Sequence, residues 1–215
     1  MNVGKVLSET AARMPGKTAV IFKEEKITFA DLEMMANRLA NRLRGLGVGP
    51  GDRVAIILPN SSQWVVSYGG VIKLGAIAVP LDFRLKEEEL IPIFKDARVR
   101  TVITSALYPS YRLFSGLEGV DTVVVTGGQG ADGCISYEEA VSDTSLSAAL
   151  RMEIAEEDDA LYLYTSGTTG KPKGAVLSLA NLDIFPEGME TILKISSDAI
   201  LGCLLPMSHI SGPIL

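Results

Sequence analysis

The residues best suited to chemistry lie in one run, Tyr164-Thr165-Ser166-Gly167-Thr168-Thr169-Gly170-Lys171-Pro172-Lys173-Gly174. It holds four Ser and Thr hydroxyls, three glycines and two lysines. Glycines let a backbone approach an anion closely and turn several N–H groups toward it. Hydroxyls add donors, and a lysine adds charge that strengthens each contact. The chemistry suggested is phosphate binding by a loop able to close over a triphosphate; on composition alone a solvated Gly/Ser hairpin stays open. It is not a Walker A loop, which needs four residues between its first Gly and its Gly-Lys-Ser/Thr. Here only Thr168 and Thr169 separate Gly167 from Gly170, and Pro172 stands where the Ser or Thr would be. The single histidine, His209, cannot build a histidine metal cluster, and on residue type alone it suits a satisfied core histidine at a strand end. Cys134 and Cys203 are far apart and in no metal-ligand spacing.

The loop must be held by what flanks it. Leu161-Tyr162-Leu163-Tyr164 and Ala175-Val176-Leu177 read as two short strands. Upstream, residues 1–20 open with a short amphipathic helix ending near Met14-Pro15-Gly16. A hairpin follows, with Ala19–Phe22 and Lys26–Phe29 around Lys23-Glu24-Glu25. Thr28 and Asp31 form a capping-box pattern before a helix whose apolar stripe is Leu32, Met35, Ala36, Leu39, Ala40, Leu43 and Leu46. Arg53–Leu58 is a strand apolar throughout after its first residue, as in a parallel sheet. Asn60 is a plausible cap for the next helix, where Gly69 and Gly70 imply close packing against a neighbour.

Ile77–Pro80 reads as a strand, 86–97 as a helix containing Pro92, and Thr101–Thr104 and Thr122–Val125 as buried strands. Gly127–Gly133 lacks both lysines and hydroxyls and reads as a surface turn. Ser136 and Glu139 form a second capping box, 142–158 a polar connector, and a further helix begins near Asn181 before a strand near Ile200–Leu204. Strands alternating with helices predict an α/β fold, a doubly wound, mostly parallel sheet with helices on both faces.

The chain has 215 residues, 47% hydrophobic and 21% charged, enough for one sizeable α/β domain and part of a second. A net charge of −6 argues against a nucleic-acid surface, while leaving room for a local positive field at the loop. The N-terminus shows no apolar signal region, and two thiols without metal spacing suit a cytoplasmic protein. The apolar region Trp64–Leu81 is interrupted by Lys73, glycines and Pro80, so no membrane span is expected.

Tyr164 to Gly174 resembles the signature loop of the AMP-forming adenylating enzymes, the superfamily of acyl-CoA synthetases, luciferases and peptide-synthetase adenylation domains. The resemblance covers nearly the whole chain. Ile27-Thr28-Phe29 with Asp31-Leu32 resembles the family's opening motif, and Lys73-Leu74-Gly75-Ala76-Ile77-Ala78-Val79-Pro80-Leu81-Asp82 its second. Leu205-Pro206-Met207-Ser208-His209-Ile210-Ser211-Gly212 resembles the motif that lies against the acyl substrate. The run Asp82–Leu90 is more similar to fatty- or aryl-acid CoA ligases than to peptide-synthetase domains. Two positions depart from the pattern: Leu179 replaces a common His, and Ser208 a common aromatic residue.

The resemblance implies an acyl-CoA synthetase that activates a fatty or aromatic carboxylic acid with ATP and Mg²⁺ and passes it to CoA. It assigns Thr165, Ser166, Gly167, Thr168, Thr169, Gly170 and Lys173 to the ATP phosphates, with Thr168 the threonine that reaches Mg²⁺. Lys173 and His209 are the expected catalytic residues, His209 near the substrate carboxylate. It further implies that residues 1–215 are the N-terminal portion of the AMP-binding domain. The rest of that domain and a C-terminal domain are then absent, which leaves the piece inactive alone and open to self-association. An adenylation domain serving another thiol acceptor, or a non-catalytic nucleotide-binding or interaction piece, is the alternative.

Overall fold

The structure, a computed structural model, describes residues 3–108, 111–128, 133–150, 152–165, 172–182, 188, 192, 194–196 and 198–209. Helix α1 (Val3–Arg13) precedes an antiparallel hairpin of β1 (Thr18–Phe22) and β2 (Glu25–Thr28). Thr28 ends the hairpin and caps α2 (Phe29–Gly45): its Oγ1 accepts from Asp31 N at 3.1 Å and donates to Asp31 Oδ2 at 2.7 Å. Of the predicted stripe, Leu32, Ala36, Leu39, Ala40 and Leu43 are buried. Leu46 is 37% exposed, because the helix ends at Gly45 and helical spacing no longer places it.

Strand β3 (Arg53–Ile57) leads to α3 (Ser62–Lys73), β4 (Ile77–Pro80), α4 (Glu87–Ala97), β5 (Thr101–Ser105), β6 (Thr122–Thr126), β7 (Ile135–Ser136), α5 (Tyr137–Ser142), β8 (Asp159–Thr165) and β9 (Lys173–Ser178). The main sheet has seven strands in the order β7-β6-β5-β3-β4-β8-β9. All neighbours are parallel except β8 and β9, which form an antiparallel pair.

The uninterrupted apolar strands have two faces to fill, and they do. Val54, Ile56, Ile103 and Val124 pack with α2, α3 and α5 on one side. Ala55, Ile57, Val102, Val123 and Val125 pack with α4 and Phe114 on the other. Removing each such Val or Ile from water contributes about 1.5–3 kcal/mol, which makes the doubly wound arrangement the stable one for this pattern. Among the described residues no helix is long and apolar enough to cross a membrane.

Polar residues on the helices fasten the remaining pieces. Lys73, at the end of α3, is buried, with Nζ 2.8 Å from Glu33 Oε1 and 2.7 Å from Ser8 Oγ, tying α1 to α2 and α3. Arg38 and Asn41 on α2 hold the connector before β8, Arg38 Nε donating to Ser147 Oγ at 2.9 Å and Asn41 to Leu146 O at 2.8 Å, while Arg38 Nη1 also reaches Val141 O of α5 at 3.0 Å. Ser136 caps α5 as predicted, Glu139 N donating to Ser136 Oγ at 3.2 Å. Gly127 and Gly128 form a bend after β6, and the centre of the predicted surface turn, 129–132, lies outside the described residues.

Two expectations are corrected. Ser61, not Asn60, caps α3, accepting from Trp64 N at 3.2 Å, because it stands three residues before that N–H while Asn60 faces elsewhere. Ile200–Leu204 is not a strand: none of the described strands pairs with it, and Ile200 and Leu204 are 85% and 95% exposed.

The two α3 glycines are explained by α2. A Cβ on Gly70 would lie 3.2 Å from Ala36 O and 3.3 Å from Leu39 Cβ. Gly70→Ala gains about 1 kcal/mol of helix propensity but costs about 1–3 kcal/mol of overpacking against a backbone carbonyl. A lower urea midpoint at unchanged slope is expected; a higher midpoint would show that the helices have room to separate.

Candidate functional site

β4 and β8 run side by side, with Ala78 opposite Leu161, and their carboxyl ends, Pro80 and Thr165, open onto a cavity of about 610 Å³. Ligands of open α/β sheets bind in such crevices outside the carboxyl ends of the strands. One wall is Leu81, Asp82, Arg84 and Leu85 after β4, continued by Glu88, Glu89 and Ile93 of α4. The hairpin contributes Tyr164, Thr165 and Pro172, and the C-terminal segment contributes Leu205, Pro206, Ser208 and His209.

The hairpin base is fixed by its register. Thr165 pairs with Lys173 and Tyr164 with Gly174, so the side chains of each pair share a face of the sheet. The Tyr164 ring covers Gly174, where a Cβ would come within 2.9 Å of Tyr164 Cζ. Tyr164 also donates its phenol to Asp96 Oδ2 at 2.6 Å, anchoring the base to α4. Burial, with the Asp96 hydrogen bond behind it, pushes the Tyr164 hydroxyl far above its ordinary pKa, so it stays a neutral donor.

Thr165 and Lys173 are both exposed at this base, and among the described residues Lys173 has no ion-pair partner. Ser166, Gly167, Thr168, Thr169 and Gly170, with Lys171, lie outside the described residues. His209 is exposed on a turn closed by its own N–H to Pro206 O at 2.9 Å. It is therefore not a core histidine at a strand end; it faces the same cavity as Thr165. Of Lys171 and Lys173, only Lys173 is placed, as the first residue of β9.

The wall after β4 is acidic. Arg84 grips Asp82 with two contacts, Nε to Oδ1 at 3.0 Å and Nη2 to Oδ2 at 2.7 Å, and holds its carboxyl below the usual range. Glu88 and Glu89 add two more carboxylates. A polyanion is repelled there and attracted toward the lysine-bearing hairpin.

Leu179, the departure from the family pattern after β9, is buried at the start of a helix that runs through at least Leu182. Ser178 caps that turn, its Oγ accepting from Asn181 N at 3.4 Å while Ser178 N donates to Asn181 Oδ1 at 3.0 Å. An apolar residue here fills the core without disturbing the cap.

Asn60 and Asp96 were not among the expected site residues. Asn60 reaches the C-terminal segment and Asp96 the hairpin base. No local pattern marks either one, since both partners are distant in sequence.

Sheet, crevice and hairpin define an α/β protein with a cavity that opens where its parallel strands end, beside the β8–β9 hairpin. The chain belongs to the AMP-binding enzyme family, whose model matches residues 7–215. It is 32% identical over 237 residues to a long-chain-fatty-acid–CoA ligase of Bacillus subtilis, covering 96% of this chain and 42% of that protein. Among solved structures it superposes on the N-terminal domain of FACL13 from Mycobacterium tuberculosis with a TM-score of 0.86 and 29% identity, covering 98% of this chain and 52% of that one. It also matches the anthranilate CoA ligase AuaEII, solved with anthranoyl-AMP, at a TM-score of 0.77 and 29% identity, over 87% of this chain and 36% of that one. The chain thus spans less than half the length of the curated relatives it matches.

Proposed function

We propose that residues 1–215 form the N-terminal portion of the AMP-binding domain of an acyl-CoA ligase that activates a fatty or aromatic carboxylic acid. The observation that carries this reading is the Thr165–Lys173 base of the hairpin, fixed beside a crevice at the carboxyl ends of β4 and β8. That relatives include ligases for both fatty and aromatic acids supports the substrate class.

The reaction has two halves. A carboxylate oxygen attacks the α-phosphorus of ATP; a P–O bond forms, the bond to the bridging oxygen breaks, and pyrophosphate leaves. The thiol sulfur of CoA then attacks the acyl carbon, AMP departs, and the thiol proton goes to solvent. The first half needs no general base, because a carboxylate is already ionised near pH 7. It needs positioning and neutralisation of the phosphates.

Thr165, Ser166, Gly167, Thr168, Thr169, Gly170 and Lys173 are the proposed donors to the β- and γ-phosphates. Lys173 adds charge, and the carboxylates of Glu88 and Glu89 disfavour a triphosphate on the wall after β4. His209 lies on the proposed carboxylate side. Among the described residues there is no cluster of three His, Cys, Asp or Glu side chains for a metal. That suits Mg²⁺ arriving on the triphosphate, since Mg²⁺ keeps several waters and takes phosphate oxygens with few protein ligands, Thr168 being the one proposed. These substrates make the cytoplasm the proposed compartment.

The full-length protein, given ATP, Mg²⁺, CoA and a panel of acids, is expected to form AMP, pyrophosphate and an acyl thioester in equal amounts. ADP and phosphate as products, or loading of amino acids onto a carrier protein with none onto CoA, would overturn the reading.

A further inference from the structure

We infer that Asn60 is a positioning residue that latches the segment carrying His209 into place; this rests on the function proposed above. Asn60 lies in the turn between β3 and α3, half-buried, and its side-chain amide is not used as a helix cap because Ser61 fills that role. Instead Nδ2 donates to Leu205 O at 2.8 Å and Oδ1 accepts from Met207 N at 2.8 Å. One side chain thus satisfies a backbone acceptor and a backbone donor two residues apart, across 145 and 147 residues of sequence.

The segment it grips needs such support. Residues 201–206 have no regular structure, and Leu204 and Leu205 are exposed, so burial does not fix their path. Within the segment, His209 N donates to Pro206 O at 2.9 Å and Cys203 Sγ to Leu205 O at 3.5 Å, while Met207 packs against the core. Among the described residues, the hydrogen bonds that tie the backbone on either side of Pro206 to the β3–α3 turn come from Asn60. Asn60 holds the residues on both sides of Pro206. It therefore fixes the stretch through which Leu205, Pro206, Ser208 and His209 reach the cavity. Asn60 itself touches no reacting group. It acts on the wall proposed to receive the carboxylic acid.

The test uses three variants of the full-length protein. Asn60→Ala removes both contacts. Asn60→Asp keeps the acceptor for Met207 N–H and loses the donor to Leu205 O. Ser61→Ala removes the α3 cap and serves as a purely structural control. Backbone amide exchange over 205–209 is read by mass spectrometry, alongside steady-state constants for acid and ATP. In Asn60→Ala, exchange over 205–209 should accelerate, and the acid KM should rise about tenfold, as expected for losing two hydrogen bonds, with the ATP KM unchanged. Asn60→Asp should fall between wild type and Asn60→Ala on both measures.

Unchanged exchange, or acid and ATP KM rising together as a general loss of structure would cause, overturns the latch. If the unmodified protein forms no thioester with any acid, the proposed function fails on its own. The exchange measurement then decides whether Asn60 holds the segment, and unchanged exchange rejects it.

Discussion

Lys173→Ala in the full-length protein is expected to slow adenylation by about one to two decades, and Lys171→Ala far less. A charge-assisted hydrogen bond is worth about 1.5–3 kcal/mol, and each 1.4 kcal/mol or so made only in the transition state is about tenfold in rate. Lys173 merits that figure because its backbone is already ordered. It is the first residue of β9, paired with Thr165 and followed by Gly174, which the Tyr164 ring covers. A side chain leaving a paired strand has already given up part of the freedom it would lose on meeting a phosphate. Its ammonium also has no ion-pair partner among the described residues to give up. Single-turnover formation of acyl-AMP from saturating ATP and acid measures the effect. Equal losses from the two alanine substitutions would refute the separation of roles.

The 215-residue chain on its own is expected to form no acyl-AMP, a far larger loss than any single substitution. Adenylation depends on placing the acid and the α-phosphorus together in a closed site from which water is expelled. The cavity here is lined by Tyr164, Thr165 and Pro172 of the hairpin, by His209, and by the Asp82–Arg84 pair with Glu88 and Glu89. Thr165, Lys173 and His209 are all exposed, so among the described residues these groups do not enclose a triphosphate from water. Ile200, Leu201, Leu204 and Leu205 are exposed as well, and exposed apolar side chains favour association between copies. Purified chain incubated with labelled ATP, Mg²⁺ and a panel of acids should yield no adenylate. Its sedimentation should depend on concentration. Robust acyl-AMP from this chain would mean that the donors already present suffice.

Much of the fold was legible because its signals are local. The capping residues Thr28 and Ser136 sit at the helix starts their sequence pattern indicates. The two-faced burial of β3, β5 and β6 follows from strands that, after Arg53, carry only apolar residues and small Thr or Ser hydroxyls with no alternating charged face. The sheet order was not legible. Nothing in residues 142–158 says that the chain recrosses the sheet on the α2 side to set β8 against β4; Arg38 and Asn41 do that from over a hundred residues away. The same distance hid Asn60, whose Pro-Asn-Ser context reads as a helix start and gives no hint of Leu205 or Met207. Ile200–Leu204 misled for the opposite reason: apolar composition signals a strand only where a neighbouring strand can pair with it, and among the described residues none does. Within the site, the hairpin was read from its flanking strands, while the Tyr164–Asp96 anchor that orients its base became visible only in three dimensions.

The most direct measurement is exchange of labelled pyrophosphate into ATP by the full-length protein, without CoA, across a panel of carboxylic acids. Reversal of the first half-reaction alone moves the label, so the assay isolates acyl-AMP formation from thioester synthesis. Exchange stimulated by a fatty or aromatic acid and sharply reduced by Lys173→Ala is the expected result. Exchange stimulated only by amino acids, or no exchange with any acid until CoA is added, would contradict adenylation of such an acid at this site.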